Sequence, residues 1–270
     1  MTEEKRVSLN IIDQIAHVTL SRAEKHNALD MKMFYEIDNT IKILRKNTQI
    51  RAVIVSGDGD DFCSGIDIKS VINSPVNGLK LLFKILPWRS NLAQRVSTAW
   101  QKIPVPVIMA IHGRCWGGGL QIALGGDFRI ATCNASLSIL ESRWGIIPDM
   151  GGTVALRNIV NVDVAKELAM TAAIIDGERA LSLGLVTHVS NEPLVKAQQL
   201  ADIISQQSPD SVAATKTLYN KSWSSTKGMA LLRESYYQIK ILLGKNQQIK
   251  TYNQLHEKQE SKTFKERRKW

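Results

Sequence analysis

Val105-Pro106-Val107-Ile108-Met109-Ala110-Ile111, followed by His112-Gly113-Arg114-Cys115-Trp116-Gly117-Gly118-Gly119, is the stretch on which the fold turns. The first seven residues form an apolar run far too short to cross a bilayer. Their length suits a strand buried on both faces, closed by His112-Gly113. Three consecutive glycines then open a helix through Leu120 to Leu124. Without a Cβ, such a backbone can approach a ligand closely. The first-turn N–H groups of a helix lack an intrahelical partner and sit at the positive end of its dipole, a setting suited to an anion or a developing oxyanion. The plainer alternative is a tight turn that lets the helix pack closely.

Outward from this stretch the pattern alternates. Val7–Ile12 and Ile15–Leu20 read as a hairpin around Asp13-Gln14. Asp30 can cap a helix whose apolar positions Phe34, Ile37, Ile41 and Leu44 follow a three-four spacing. Ala52–Val55 is a second buried strand, ended by Ser56-Gly57 and followed by another glycine-bearing loop, Phe62-Cys63-Ser64-Gly65-Ile66-Asp67-Ile68-Lys69. Residues 71–103 read as irregular helix broken at Pro75 and Pro87, a segment able to move. Phe128–Ala131 is a third strand. From residue 162 onward helix follows helix, with a strand-like interruption at Gly184-Leu185-Val186. Strands separated by helices imply βαβ units with right-handed crossovers.

The chain has 270 residues, 44% hydrophobic and 22% charged, which fits one domain of some 200 residues with a helical appendage. Met1-Thr2-Glu3-Glu4-Lys5-Arg6 does not read as a signal peptide. Cys63, Cys115 and Cys133 form no CxxC pair and no metal spacing with the histidines, so free thiols in a reducing cytoplasm are expected. The net charge of +10 points to an anionic partner, although the basic end, Lys262, Lys265, Arg267, Arg268 and Lys269, reads as a solvated tail. Several chemistries fail on spacing. Gly57-Asp58-Gly59 lacks the third glycine of a dinucleotide fingerprint, because Phe62 stands there. Gly113 to Gly118 has the P-loop step, but Gly119-Leu120 replaces its Lys and Ser/Thr. Ser64 lacks the preceding glycine of a nucleophile elbow.

An ordered set of pieces remains: Lys25-His26-Asn27-Ala28-Leu29, Phe62 to Lys69, the triple glycine, Gly126-Asp127-Phe128, Glu141, and Trp144-Gly145-Ile146-Ile147-Pro148-Asp149-Met150-Gly151-Gly152-Thr153. This set resembles the crotonase, or enoyl-CoA hydratase/isomerase, superfamily over most of the chain. The resemblance implies an α/β fold, a spiral of ββα units over residues 1–195, and a C-terminal helical trimerisation region over 196–270. It implies a homotrimer or dimer of trimers. It implies an acyl-CoA thioester as substrate, with no cofactor beyond that CoA and no metal. The backbone N–H groups of Ile66 and Gly118 would form an oxyanion hole for the thioester carbonyl and its enolate. The adenosine diphosphate part of CoA would lie near Asn27-Ala28 and Ser64, Asp67, Ile68 and Lys69. Lys25 and Lys69 are the candidate phosphate partners, against a plain reading as surface lysines.

The family's hydratases use two glutamates. The first position here is Gln121, an amide that can orient a group but not shuttle a proton. The second is Glu141. Asp149 stands where dienoyl-CoA isomerases of the family carry an acid, although that pattern also wants an acid at position 121. A carboxylate among Leu140, Trp144 and Ile147 would be desolvated and its pKa raised. Double-bond isomerisation with Glu141 as shuttle and Asp149 as partner is therefore expected ahead of hydration. Plainer roles stay open: Glu141 pairing with Arg143, Asp149 as a turn residue, and Cys63, Cys115 and His112 as structural. Two other classes also stay open, an RNA-binding protein with a basic surface and a non-catalytic CoA-thioester binder. Membrane attachment is not expected, and nucleic acid is the less favoured partner.

Overall fold

The structure, a computed structural model, describes residues 5–71, 74–256 and 260–270. The charged Met1 to Glu4, residues 72–73 of the irregular helical stretch and residues 257–259 near the basic end lie outside that description. Eight strands are described: β1 (Val7–Ile12), β2 (Ile15–Leu20), β3 (Ala52–Gly57), β4 (Val107–Ile111), β5 (Arg114–Trp116), β6 (Phe128–Ala131), β7 (Ser136–Ser138) and β8 (His188–Val189). The main sheet runs β1-β2-β3-β4-β6-β8, antiparallel only in the β1–β2 hairpin. Asp13 and Gln14 turn that hairpin with φ of 47° and 67°, the left-handed geometry a two-residue hairpin turn needs.

The helices are α1 (Met31–Lys46), α2 (Ile68–Val71), α3 (Pro75–Leu82), α4 (Leu92–Thr98), α5 (Gly118–Ala123), α6 (Gly152–Leu156), α7 (Val162–Thr171), α8 (Gly177–Ser182), α9 (Pro193–Ser205), α10 (Pro209–Ser222), α11 (Lys227–Leu242) and α12 (Lys245–Leu255). Asp30 caps α1 as its position predicts, accepting from the Met33 N–H at 2.7 Å. Period-two alternation divides the sheet between two cores. Val53, Val55, Val107, Met109 and Ile111 face α1 through Phe34, Ile37 and Ile41. Ala52, Ile54, Ile108, Ala110 and Ile130 face Ala197 and Ala201 of α9. The 195/196 division drawn from sequence thus falls inside a helix that covers the sheet.

A second, smaller layer makes the spiral. β5 pairs with β7, and single bridges join Leu29 to Ile66, Cys63 to Cys115 and Leu137 to Ile175. Successive turns each contribute a main-sheet strand, a short cross-piece and a helix. The cross-pieces stack just beyond the C-terminal ends of β3 and β4, so the two glycine loops are neighbours in space. That is the crotonase-type α/β fold, with the C-terminal helices following the core.

The helical stretch is interrupted before Pro75, which opens α3 at its first position with Ser74 as cap, and again between α3 and α4, where Pro87 lies. Three local expectations are corrected. The last strand is His188–Val189, because Leu185 and Val186 are buried against the body before β6 pairing begins. The chain end is not helical, and it is not a solvated tail. Arg267 is only 4% exposed, its Nη2 donates to the Asn47 carbonyl at 2.8 Å, and its N–H donates to the Thr48 carbonyl. Trp144 and Ile147 are exposed at 59% and 74%, so they do not desolvate the neighbouring carboxylate.

Candidate active site

Gly117 precedes α5 with φ 49° and ψ −118°, a conformation open to glycine and strained for other residues. Gly65 in the first loop has φ +97°, and a Cβ on it would lie 3.0 Å from the Trp116 carbonyl oxygen and 3.6 Å from the Gly118 nitrogen. The two loops therefore touch at the residues preceding Ile66 and Gly118. The Cys63 N–H donates to the Arg114 carbonyl at 2.9 Å, and the Trp116 N–H donates to the Cys63 carbonyl at 3.0 Å, which stitches the loops together. Among the described residues, the N–H groups of Ile66 and Gly118 donate to no protein acceptor. Leu29 and Met150 wall this spot: a Cβ on Gly118 would meet Met150 Sδ at 2.8 Å and Leu29 Cδ1 at 3.1 Å.

Glu141 opens a 3-10 turn, Glu141–Trp144, just after β7, and is only 7% exposed. Gln121, one turn into α5, donates from Nε2 to Glu141 Oε1 at 2.6 Å and accepts from the Gly152 N–H at 2.9 Å. The amide is thus committed on both sides, and it holds one carboxylate oxygen in place. The other oxygen, Oε2, is buried with no hydrogen-bond partner among the described residues. Oε1 lies 3.4 Å from where a Gly117 Cβ would stand, so the carboxylate sits beside the start of α5. Burial raises the Glu141 pKa above the ordinary carboxylate range; the Gln121 hydrogen bond and the main chain of Glu141 and Leu140 oppose this, and the charge of Asp149 adds to the rise. Arg143 does not pair with Glu141, reaching instead to the Ala172 carbonyl. Asp149 is half-buried in a turn, and burial raises its pKa too, against the opposing charge of Lys84.

The residues expected near CoA divide into two kinds. Asn27 is fully buried: its Oδ1 accepts from the Arg22 N–H at 2.8 Å, and its Nδ2 donates to the carbonyls of Asp58 and Asp61. Asp67 is held by Arg22 Nη1 at 2.9 Å and accepts from the Ser70 N–H. Burial alone would raise the Asp67 pKa, but Arg22 and the Ser70 hydrogen bonds together outweigh it and hold the carboxyl below its ordinary range. Ala28 donates to the Lys25 carbonyl, and its own carbonyl accepts from Arg22. These groups join residues 22–30 to 58–70. Ser64 and Ile68 are half-buried on the same edge, the Ser64 N–H donating to the His26 carbonyl. Lys25 and Lys69 are the exposed lysines there, one on each joined segment, with the exposed carboxylates of Glu24, Asp58 and Asp60 nearby in the same segments.

Arg22, Leu29, Met150 and Gly152 were not singled out by sequence. Arg22 gave no local signal, because its partner Asp67 lies 45 residues away. Leu29 and Met150 stood inside quoted motifs as ordinary apolar residues. Cys63 is buried, its thiol donates to the Asn27 carbonyl, and burial pushes its pKa up to about 12. Cys115 is raised likewise, which suits structural thiols. His112 Nε2 binds the Gly59 carbonyl at 2.9 Å, reaching a loop 53 residues away.

A family model described as enoyl-CoA hydratase/isomerase matches residues 10–270. The chain belongs to the enoyl-CoA hydratase/isomerase family. Within it, the YngF protein of Bacillus subtilis, which carries the family's name, is 35% identical over 231 residues, covering 84% of this chain and 86% of its own. A peroxisomal Delta(3,5)-Delta(2,4)-dienoyl-CoA isomerase of Arabidopsis thaliana is 33% identical, over 82% and 84%. A short-chain-enoyl-CoA hydratase of Clostridium acetobutylicum is 32% identical, over 86% and 88%. An enoyl-CoA hydratase structure from Bacillus anthracis superposes with a TM-score of 0.86 at 26% identity, covering 96% of this chain and 99% of that one. Isomerases and hydratases of the family thus resemble this chain about equally. No helix of the described residues is long and apolar enough to cross a membrane.

Proposed function

We propose that this family member binds an acyl-CoA thioester and moves a double bond in an enoyl- or dienoyl-CoA. The thioester oxygen would accept from the Ile66 and Gly118 N–H groups, stabilising the enolate formed when a proton leaves. Glu141 would take that proton on Oε2 and deliver it to another carbon, with Asp149 as the second acid. The observation that carries the reading is the Glu141 carboxylate itself, one oxygen anchored by Gln121 and the other buried without a partner. One free basic oxygen suits removal and return of a single proton. Hydration needs a second group to activate water, and Gln121 in that place is neutral and already bonded twice. Proton transfer needs no redox partner, so the only cofactor in the proposal is the CoA carried by the substrate. Lys25 and Lys69 would meet its phosphates.

The test is product identification. The protein is incubated separately with 2-enoyl-, 3-enoyl- and 3,5-dienoyl-CoA, and products are followed by mass and ultraviolet absorbance. An unchanged mass with a shifted absorbance is expected; a product heavier by one water would replace isomerase with hydratase.

We further propose assembly as a homotrimer or a dimer of trimers through the C-terminal helices. Met229, Leu232, Tyr236 and Ile239 form an exposed stripe along α11 at three-four spacing, continued by Leu243. A stripe of that length is costly to leave in water and supports burial against another copy. Light scattering in solution would read the assembly directly.

A further inference from the structure

The sheet's other edge carries a separate feature. β3 and β4 run parallel, and the glycine loops follow their C-terminal ends. At their N-terminal ends, about 20 Å of strand away, lies a cleft of about 600 Å³ lined by Lys42, Arg45, Lys46, Lys102, Arg267 and Lys269, together with Trp270. No Asp or Glu side chain lines it, and the nearby Glu266 is taken up by Thr48 of the wall, which donates to it at 2.7 Å. Asp38 takes up the charge of Lys42 at 2.8 Å, but Arg45, Lys46, Lys102 and Lys269 have no ion pair among the described residues. Arg267 is buried in the wall, its guanidinium donating to the neutral carbonyls of Asn47 and Arg268, with the charge of Asp210 acting on it. The negative end of α1 explains Arg45 and Lys46 in its last turn. It does not explain Lys102 or the chain end, which come from other segments and converge on the same space. Like charges held together in a concave wall focus a positive potential that an anion relieves. The volume falls within the ~300–1,000 Å³ of small-ligand sites, whereas a nucleic acid strand needs an extended groove with stacking platforms.

We infer that this cleft binds a multiply phosphorylated small molecule, at a site distinct from the one proposed for the acyl-CoA thioester. The probe is tripolyphosphate, titrated calorimetrically into the full chain at low and at raised salt. One site per chain is expected, weakening with salt. Lys46→Glu combined with Lys102→Glu should weaken it about tenfold or more, and the milder Lys46→Gln with Lys102→Gln should weaken it less. Both pairs are surface changes and should leave the unfolding midpoint and acyl-CoA turnover unchanged. Lys25→Ala with Lys69→Ala should leave tripolyphosphate binding intact. The inference is overturned if charge reversal does not change the affinity, or if only the Lys25 and Lys69 changes do. It is also overturned if an oligoribonucleotide binds through Lys46 and Lys102 more tightly than tripolyphosphate, since the cleft would then serve a polymer.

Discussion

Two groups of polar atoms lie side by side above the strand ends, and they differ in whether they are satisfied. In the shell joining residues 22–30 to 58–70, Asn27 makes three hydrogen bonds, Asp67 meets Arg22 and Ser70, and Asp61 meets His26 and the Arg114 N–H. Across the gap, the Ile66 and Gly118 N–H groups and Glu141 Oε2 meet no partner among the described residues. A buried polar atom left unpaired costs about 1–3 kcal/mol, so a fold seldom keeps one without use. The shell, in which Arg22 Nε lacks a hydrogen bond but lies 3.5 Å from the Asp30 carboxylate, therefore reads as scaffold and the unsatisfied trio as chemistry. That distinction separates Asn27 and Asp67, both expected from sequence to meet CoA, from the groups left free to meet it.

The largest effect that would break the distinction is at Glu141. Glu141→Gln should lower turnover about a hundred- to ten-thousandfold while leaving stability at neutral pH unharmed. The sign follows from burial. A carboxyl with a raised folded pKa adds stability only while protonated, and that contribution is lost as pH rises through the folded value. Above the folded value the ionised side chain thus gives the fold nothing that glutamine removes. The wild-type rate should fall on acidification earlier than an ordinary carboxylate would allow. A variant that unfolds easily yet turns over normally would move Glu141 into the scaffold.

Asn27→Ala should show the opposite pattern. It strands the buried Arg22 N–H and Asp61 carbonyl and the part-buried Asp58 carbonyl, and it places alanine at φ 52°. A loss of about 2–4 kcal/mol in urea unfolding is expected, with kcat/KM per folded molecule little changed. A stable Asn27→Ala protein with a raised KM would return Asn27 to the ligand side.

These contrasts also mark what the residues alone could say. The Asp30 cap, the Asp13-Gln14 hairpin and Phe128–Ala131 were legible because each depends on neighbours a few positions away. The spiral and the family were legible because an ordered motif set carries them. The Arg22–Asp67 tie, the docking of Arg267 on Asn47 and the commitment of Gln121 to Gly152 were not. Each joins residues 31 or more positions apart, through side chains whose types are common on surfaces. Ile147 and Trp144 misled for the same reason: an apolar residue beside Glu141 in sequence need not shield it in space.

Gln121→Glu sharpens the boundary from within. A second carboxylate would stand 2.6 Å from Glu141 Oε1 where the amide now donates. Two such groups cannot both ionise freely, so they would share a proton and titrate as a pair. The acid limb of the pH–rate profile should move up, and water addition to a 2-enoyl-CoA should become measurable. An unmoved acid limb would mean that Gln121 lies outside the reacting set.

The smallest expected effect is at the rim. Lys25 and Lys69 are exposed, so each would gain only a screened contact with a CoA phosphate, worth up to about 1 kcal/mol. Lys25→Ala or Lys69→Ala should raise KM a few-fold without changing kcat, and the difference from wild type should shrink as salt is added. These lysines belong to neither group: they satisfy no buried partner and sit beside no reacting atom. A fall in kcat at saturating substrate would show that phosphate contact positions the thioester, and the unsatisfied trio would then need the rim to work.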